Sequence, residues 1–404
     1  MLSRIAIASA LLVAACGGAA NAPEPAVSTA PAASERLLVE GDASTKIIET
    51  TSGGTVTTLA GGVLSPSRDL IVRVETTAGT TAVRGVDLDS LPMLKVDLPG
   101  TFALPSAYGA APSGSSPNGK WLVLVSRAAG QSTFAVIDAA ASKLAATVTL
   151  DERFTFDAIH NDGSAMYLIE HPVKGSTAYN VRLYDLRTKT LAPDIIFDKS
   201  QIAQFDPTVG LMDGTFHVSV APTAGDWSFG LYMRPNGTPF VHALNVPGRY
   251  ATCIIDLEGK WTAASRFSMA LAVDGRRLYV VDTTTGAASI IDAQTQKVMR
   301  RAVFAGRSGD GDARSATAVV SKDGTQVFAS GARGVAILRS NDLSLRHWAA
   351  TDLAIRSLAV SADGARVYAL AGDAIHVIST ATGLETASFA TGPGARAIHL
   401  LPAP

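Results

Sequence analysis

The strongest pattern along the chain is a short apolar run, a polar corner rich in Asp and Gly, and a second short apolar run. An Asp-Gly or Asn-Gly pair between two such runs is a hairpin signal, because Asp bonds its own backbone and Gly accepts a positive φ. The long amphipathic stretches of a helix are missing between the Gly and Pro breaks. The pattern therefore predicts short antiparallel strands and an all-β fold.

The corner recurs at intervals of 40 to 62 residues. Its turn position falls at Ser67, Asn118, Asp162, Ala224, Asp274, Asp323 and Asp363. The corner joins two strands, and a third and a fourth short strand follow before the next corner. Four strands in about 40–50 residues is the period of a β-propeller blade.

The two ends of the chain together predict one further blade. The tail, residues 394–401, resembles an innermost strand, and the head, residues 36–59, resembles the three outer strands. Joining them would close the ring and cover both sheet edges. Seven corners and this composite blade predict an eight-bladed propeller. A seven-bladed ring, with the head as a lone closing strand, is the alternative.

The corner and strand motifs resemble the YVTN class of bacterial, WD40-like propeller repeats. One unit of that class contains, in order, the motifs SPDG, LYV and VxVID, followed by a Thr and a Lys. In this chain residues 116–125 read SPNGKWLVLV and residues 361–369 read SADGARVYA. The Trp-Asp signature of WD40 repeats themselves is absent, and so is the Trp-bearing docking motif of quinone-cofactor propellers. The resemblance implies a rigid disc, in a class that includes lactonases and dehydrogenases.

The first residues have the pattern of an export signal. Residues 1–15 carry one Arg and then an apolar run, which is typical of a signal peptide. The run ends in VAACG, which resembles the lipobox of bacterial lipoproteins and implies that Cys16 is acylated. Residues 16–35, mostly Ala, Pro, Ser and Gly, predict a flexible tether, and residues 36–404 a single propeller domain. We expect lipid anchoring to a membrane of the cell envelope, on its extracytoplasmic side.

Composition narrows the classes of partner. The chain has 34 Lys and Arg against 35 Asp and Glu, a net charge of −1, so the basic surface of a nucleic-acid binder is not expected. Hydrophobic residues make up 47% of the chain, which argues against a disordered protein. If Cys16 carries the lipid, Cys253 is the remaining cysteine, and no disulfide within the chain is expected.

Five arginines recur where an innermost strand is predicted to begin. They are Arg153, Arg266, Arg314, Arg356 and Arg396. A ring of guanidinium groups at one mouth of the channel would bind a carboxylate or a phosphate. Acids such as Asp151 and Asp352 lie nearby, so locally paired surface charges are the alternative.

Three histidines, His160, His217 and His399, fall in predicted innermost strands. If they converged in the channel they would form a metal or acid–base site, and separate core or surface histidines are the alternative. No His or Cys cluster has metal-ligand spacing, so no metal and no cofactor is expected, and no catalytic residue is assigned.

The sequence thus predicts a membrane-anchored binding or scaffold module for a protein, a glycan or a small anionic ligand. The alternative is a lactonase- or dehydrogenase-like enzyme with its site in the central channel, which rests on the resemblance in fold alone.

Overall fold

The structure, a computed structural model, describes residues 35–105, 114–128, 130–196, 212–309 and 316–401, with the backbone alone at 252 and 253. All regular structure in these ranges is β-strand. The described part of the chain contains no helix that could cross a membrane. The strands form eight sheets. The predicted all-β propeller is confirmed, and it has eight blades and not the alternative seven.

The head of the chain forms β1 (Arg36–Gly41), β2 (Ser44–Glu49) and β3 (Thr55–Ala60). Blades 1 and 2 contain β4 (Val63–Leu64), β5 (Ile71–Thr77), β6 (Thr80–Val86), β7 (Pro92–Pro99), β8 (Trp121–Ala128), β9 (Gln131–Asp138) and β10 (Lys143–Asp151). Blade 3 contains β11 (Phe154–Ile159), β12 (Ala165–Glu170), β13 (Ala178–Asp185), β14 (Thr190–Ile196) and β15 (Met212–Asp213).

Blades 4 and 5 contain β16 (Thr215–Val220), β17 (Trp227–Met233), β18 (Pro239–Asn245), β19 (Tyr250–Asp256), β20 (Phe267–Leu271), β21 (Arg277–Asp282), β22 (Ala287–Asp292) and β23 (Lys297–Val303). Blades 6 and 7 contain β24 (Ala318–Val320), β25 (Gln326–Gly331), β26 (Gly334–Arg339), β27 (Leu345–Ala349), β28 (Ser357–Val360), β29 (Arg366–Ala371), β30 (Ala374–Ser379) and β31 (Glu385–Ala390). The last strand is β32 (Ala395–Leu400).

The ring closes through a composite blade, blade 8, made of both ends of the described chain. Its strand order is β3-β2-β1-β32, with β32 innermost. Leu37 lies opposite Leu400 and Val39 opposite Ile398. These apolar side chains pack against Tyr368 of blade 7, so the same contacts that close the ring also bury its last interface. The predicted closure by N- and C-terminal strands is confirmed.

Neighbouring blades are stabilised by apolar side chains from their facing sheets. Between blades 4 and 5, Phe229 and Leu231 pack in one buried cluster with Phe267 and Met269. The second strand of blade 3, β12, is buried on both faces along its whole length. An outermost strand such as β7 alternates instead between buried and exposed residues. The strand periodicity of the sequence therefore reflects position within the blade.

The recurring corner motif is a recurring hydrogen-bonded turn. In blade 6 the Ser321 hydroxyl donates to Asp323 Oδ1 at 2.6 Å and accepts from Gln326 N at 2.9 Å. Asp323 in turn accepts from Thr325 N at 3.0 Å, and Gly324 adopts φ 71°. Ser, Asp and Gly recur together because each satisfies a different requirement of this turn.

Blade 2 departs from the four-stranded plan on its channel side. Strands β8, β9 and β10 form a three-stranded ladder. The segments that take the innermost position contact β8 through isolated bridges, Ala103 with Val125 and Ser115 with Leu122. Among the described residues, these bridges are the pairing seen on the channel side of β8.

Candidate functional site

A cavity of about 1150 Å³ opens on the channel side of blades 2, 3 and 4. Its lining comes from β11 and β16, from the ends of β8 and β12, and from the inner segments of blade 2 around Phe102 and Gly114. The described inner segments of blade 2 thus form one side of the cavity, and the innermost strands of blades 3 and 4 form the other. Aromatic and aliphatic side chains such as Phe102, Phe156 and Phe216 predominate in the lining.

Asp157 is placed in this cavity by a β-bulge in β11. Phe156 pairs with Leu168 and Ala158 pairs with Tyr167, so Asp157 is the extra residue. A bulge takes a side chain out of the regular alternation of a strand. The Asp157 side chain lines the cavity, and its carboxyl makes no hydrogen bond and no ion pair with the described residues.

Burial raises the pKa of Asp157 to about 7. Burial disfavours a carboxylate, and no hydrogen bond or neighbouring cation offsets that effect here. The carboxyl is therefore partly protonated at neutral pH, and it can act either as a hydrogen-bond donor or as a negative charge.

Two buried tyrosines, Tyr179 and Tyr232, lie close enough to Asp157 for its charge to affect their pKa. The rings of Tyr179 and Tyr232 stack with their centroids 4.9 Å apart, and Phe216 contacts Tyr232 edge-on at 5.5 Å. Burial raises the pKa of both tyrosines well above the ordinary value, and the charge of Asp157 adds to the rise. Both phenols are therefore neutral, and Tyr232, which lines the cavity, contributes an uncharged aromatic side chain to its wall.

Two basic side chains, His171 and Arg127, line the cavity at the end where the innermost strands begin. The Nδ1 atom of His171 is buried and has no hydrogen-bond partner among the described residues. Arg127 is exposed and lies close enough to Glu152 to lower the pKa of that carboxyl, after the larger effect of Lys174. The cavity thus has an acidic group inside and basic groups at one end.

The structure gives protein partners to three of the arginines predicted to form an anion-binding mouth. Arg153 pairs with Asp151 at 3.1 Å and with Glu170 at 3.2 Å. Arg356 donates to the Ala395 and Gly372 carbonyls.

Arg396 pairs with Asp42 at 3.1 Å, and Arg266 is only 3% exposed. Arg314 lies outside the described residues. None of the four described arginines lines the cavity. Anion binding at that mouth stays a prediction, and it would require these groups to leave their present environments.

The three predicted channel histidines contact different parts of the ring. His160 Nδ1 pairs with Asp162 Oδ1 at 2.5 Å within the corner of blade 3. His217 Nε2 bonds the Phe267 carbonyl of blade 5 at 2.9 Å, and His399 Nε2 lies 3.1 Å from Glu40 Oε1 in blade 8.

No group of three or more His, Cys, Asp and Glu that could hold a metal occurs among the described residues. Each of the three histidines therefore bridges nearby structure rather than joining the other two. Cys16, the predicted lipid attachment, lies outside the described residues.

Asp157 and His171 were not singled out from the sequence. Asp157 sits in an apolar stretch, residues 154–159, that interrupts strict alternation, and this break is the one signal that could have marked a bulge. His171 lies in the turn after β12, and its sequence context resembles that of any loop. Sequence periodicity locates strands, but it does not show where a ladder is interrupted.

No family model and no curated protein matches the chain. Among solved structures it is similar to apo AztD from Citrobacter koseri, with a TM-score of 0.59 and 12% identity over 91% of this chain and 98% of that one. It is similar also to dihydro-heme d1 dehydrogenase NirN in complex with DHE, with a TM-score of 0.53 and 13% identity over 90% of this chain and 74% of that one.

A third similar structure is a eukaryotic initiation factor, with a TM-score of 0.52 and 12% identity over 91% of this chain and 88% of that one. At such low identity these likenesses show the fold alone. They agree with the eight sheets in assigning a β-propeller, and proteins with such different names show that the fold does not select a function.

Proposed function

We propose that the chain is a lipid-anchored, extracytoplasmic β-propeller that binds a small molecule in the cavity beside blades 2, 3 and 4. The observation that carries this proposal is the unpartnered carboxyl of Asp157 in the wall of a cavity of about 1150 Å³. A carboxyl in a cavity with a raised pKa and no protein partner among the described residues is typical of a functional site.

The shape and lining of the cavity favour a small ligand over a protein or a glycan. Small-molecule sites are concave and mostly apolar, with a few polar groups that orient the ligand, and this description fits the cavity. An anionic ligand at the arginine mouth is less favoured because Arg153, Arg356 and Arg396 already have protein partners. The similar structure of NirN, in complex with DHE, is a propeller with a bound small molecule.

A neutral apolar dye tests binding in the cavity. Nile red should fluoresce more strongly with the full-length protein, and Thr215→Trp, which fills space at the cavity wall, should abolish the increase. The matched control is Thr58→Trp on the exposed outermost strand β3, which should leave the increase unchanged. Dye binding that is insensitive to Thr215→Trp, or no dye binding at all, would overturn the proposal.

The proposed anchor rests on the sequence around Cys16 and has its own test. In cells that process bacterial lipoproteins, the wild-type chain should sediment with membranes and take up a labelled fatty acid. Cys16→Ser should lose both properties, while Cys253→Ser should retain them. Membrane association that persists in Cys16→Ser would rule out acylation as its cause.

A second candidate function is an enzyme that uses Asp157 for proton transfer. The observation in its favour is the pKa of about 7, since a general acid or base works best when its pKa is near the ambient pH. Hydrolysis of a panel of simple lactones, abolished by Asp157→Asn and unchanged by Asp89→Asn, would support it. No turnover by the folded protein would leave binding as the function.

A further inference from the structure

The surroundings of Asp157 point to the chemical class of the ligand. We infer that the cavity binds an organic cation, a small molecule with a protonated amine next to an aromatic or aliphatic body, with its ammonium group against the Asp157 carboxyl. This inference rests on the proposed function, because it assigns a ligand class to the same cavity.

Asp157 has no countercharge among the described residues. The Asp157 carboxyl lines a mostly apolar cavity and makes no hydrogen bond and no ion pair with the described residues. Such a place disfavours an ionised carboxylate, and a cation paired with it offsets that cost. A ligand with an ammonium group supplies that cation and a hydrogen-bond donor together.

Aromatic side chains line the same cavity as Asp157. Phe156 precedes Asp157 in the strand, and Phe102, Phe216 and Tyr232 line the same cavity. The face of an aromatic ring attracts a cation, and its apolar area also buries the hydrocarbon part of a ligand. An anionic ligand would gain neither of these interactions, and Asp157 would repel it.

The basic groups of the cavity are too far along the strand to neutralise Asp157. The backbone N–H of His171 donates to the Arg153 carbonyl, which places His171 across from a residue four positions before Asp157. Four strand residues span about 13 Å. Arg127 is at the same end, where it is exposed and influenced by Glu152.

Within the part of the chain that the structure describes, the remaining titratable groups whose electrostatics involve Asp157 are phenols. Burial raises the pKa of three tyrosines, and the charge of Asp157 raises it further. They are Tyr167 of β12, Tyr179 of β13 and Tyr232 of β17. They are neutral over the whole working range of pH. Asp157 is therefore the group in this part of the cavity that changes charge near neutrality, and it must be ionised to pair with an ammonium.

Binding of a cation should consequently release a proton. The pKa of Asp157 is about 7, so the carboxyl is largely protonated at about pH 6 and largely ionised at about pH 8. The affinity for an amine should rise across this range, whereas the affinity for an uncharged ligand of the same shape should not. The ammonium of a primary alkylamine remains protonated throughout.

Calorimetry with three probes of matched shape tests the inference: 4-phenylbutylamine, 4-phenylbutan-1-ol and 4-phenylbutyrate. With the full-length protein at about pH 8, we expect the amine to bind at least about tenfold more tightly than the alcohol. This preference should shrink by about tenfold at about pH 6, and Asp157→Asn should abolish it while still binding the alcohol.

The possible results distinguish a failure of the cation inference from a failure of the proposed function. If the amine and the alcohol bind equally, if the butyrate binds best, or if Asp157→Asn keeps the amine preference, the cation inference is wrong and the cavity remains a binding site. If none of the three probes binds and Nile red binding is also absent, the proposed function fails together with the inference. Retained alcohol binding by Asp157→Asn shows that the variant is folded.

Discussion

The Tyr368 hydroxyl donates a hydrogen bond of 2.9 Å to Glu35 Oε2, which joins the start of the described chain to blade 7. The same carboxyl pairs with Arg366 at 3.2 Å and accepts from Ala362 N at 2.6 Å. Glu35 is the last residue of the predicted tether, and these contacts fix the entry of the chain into β1. Ring closure therefore has a polar component next to the apolar contacts of blades 7 and 8.

We expect Glu35→Ala to lower the free energy of unfolding by about 2 kcal/mol, because the half-buried Arg366 and the Tyr368 hydroxyl would lose their common partner. Urea unfolding followed by tryptophan fluorescence measures the change. The control is Glu258→Ala, which removes an exposed partner of Arg301 and should cost less than about 0.5 kcal/mol. Equal effects of the two substitutions would show that the Glu35 contacts do not stabilise the ring.

The corner serines should contribute to stability through the turn they organise. Ser361 Oγ donates to Asp363 at 2.6 Å and accepts from Arg366 N at 2.9 Å, so Ser361→Ala should cost about 1 kcal/mol. Ser388→Ala on the exposed strand β31 is the control and should be nearly neutral.

The Ser361 hydrogen bond also holds the pKa of Asp363 below its ordinary value. A depressed carboxyl pKa stabilises the fold above the unfolded pKa of about 4, and that stability is lost as the pH falls below it. The difference between wild type and Ser361→Ala should therefore narrow in acid. A difference that is constant from about pH 7 to about pH 3 would contradict this account.

The blades could be predicted from the sequence because their signals are local. Asp323 and Gly324 encode a turn within four residues, and the apolar runs on either side encode the strands. The composite blade was also predictable, since the unpaired head and tail had complementary strand counts. Eight sheets and the pairing of Leu37 with Leu400 confirm both expectations.

The candidate site could not be predicted because it depends on irregularities. The cavity lies beside the inner segments of blade 2, which contact β8 through isolated bridges among the described residues, and Asp157 reaches it through a bulge. The predicted histidines do lie on inner strands or at their ends. Their ring nitrogens, however, contact nearby carbonyl or carboxyl groups, as His217 contacts the Phe267 carbonyl. Strand position alone does not determine whether a side chain faces the channel.

Two corner glycines allow a matched test of how blades pack at their corners. Gly163 and Gly324 occupy the same corner position with φ values of 70° and 71°. A Cβ at Gly163 would lie 2.2 Å from the Trp121 ring of blade 2, whereas a Cβ at Gly324 would meet no atom within 4 Å.

We expect Gly324→Ala to cost about 1 kcal/mol for the left-handed backbone alone, and Gly163→Ala to cost roughly 2–3 kcal/mol more because Trp121 must move. Urea unfolding gives both values, and a shift in the tryptophan emission should accompany only the change at Gly163. Equal costs would mean that Trp121 does not pack against this corner.

Asp157→Asn should stabilise the free protein, with a gain that depends on pH. In the unfolded chain the carboxyl has a pKa of about 4, and in the folded chain about 7. Between these values the folded state binds more protons, so the wild-type free energy of unfolding falls as the pH rises through this window. Asparagine has no charge to bury, so the variant should nearly equal wild type at about pH 4 and exceed it by up to about 4 kcal/mol at about pH 8, since each unit of pKa difference is worth about 1.4 kcal/mol. Asp89→Asn, at an exposed position, should show no such gain. If wild type were instead more stable than Asp157→Asn at about pH 8, the Asp157 carboxylate would have a partner in the folded chain. The main observation behind the proposed binding site would then be wrong.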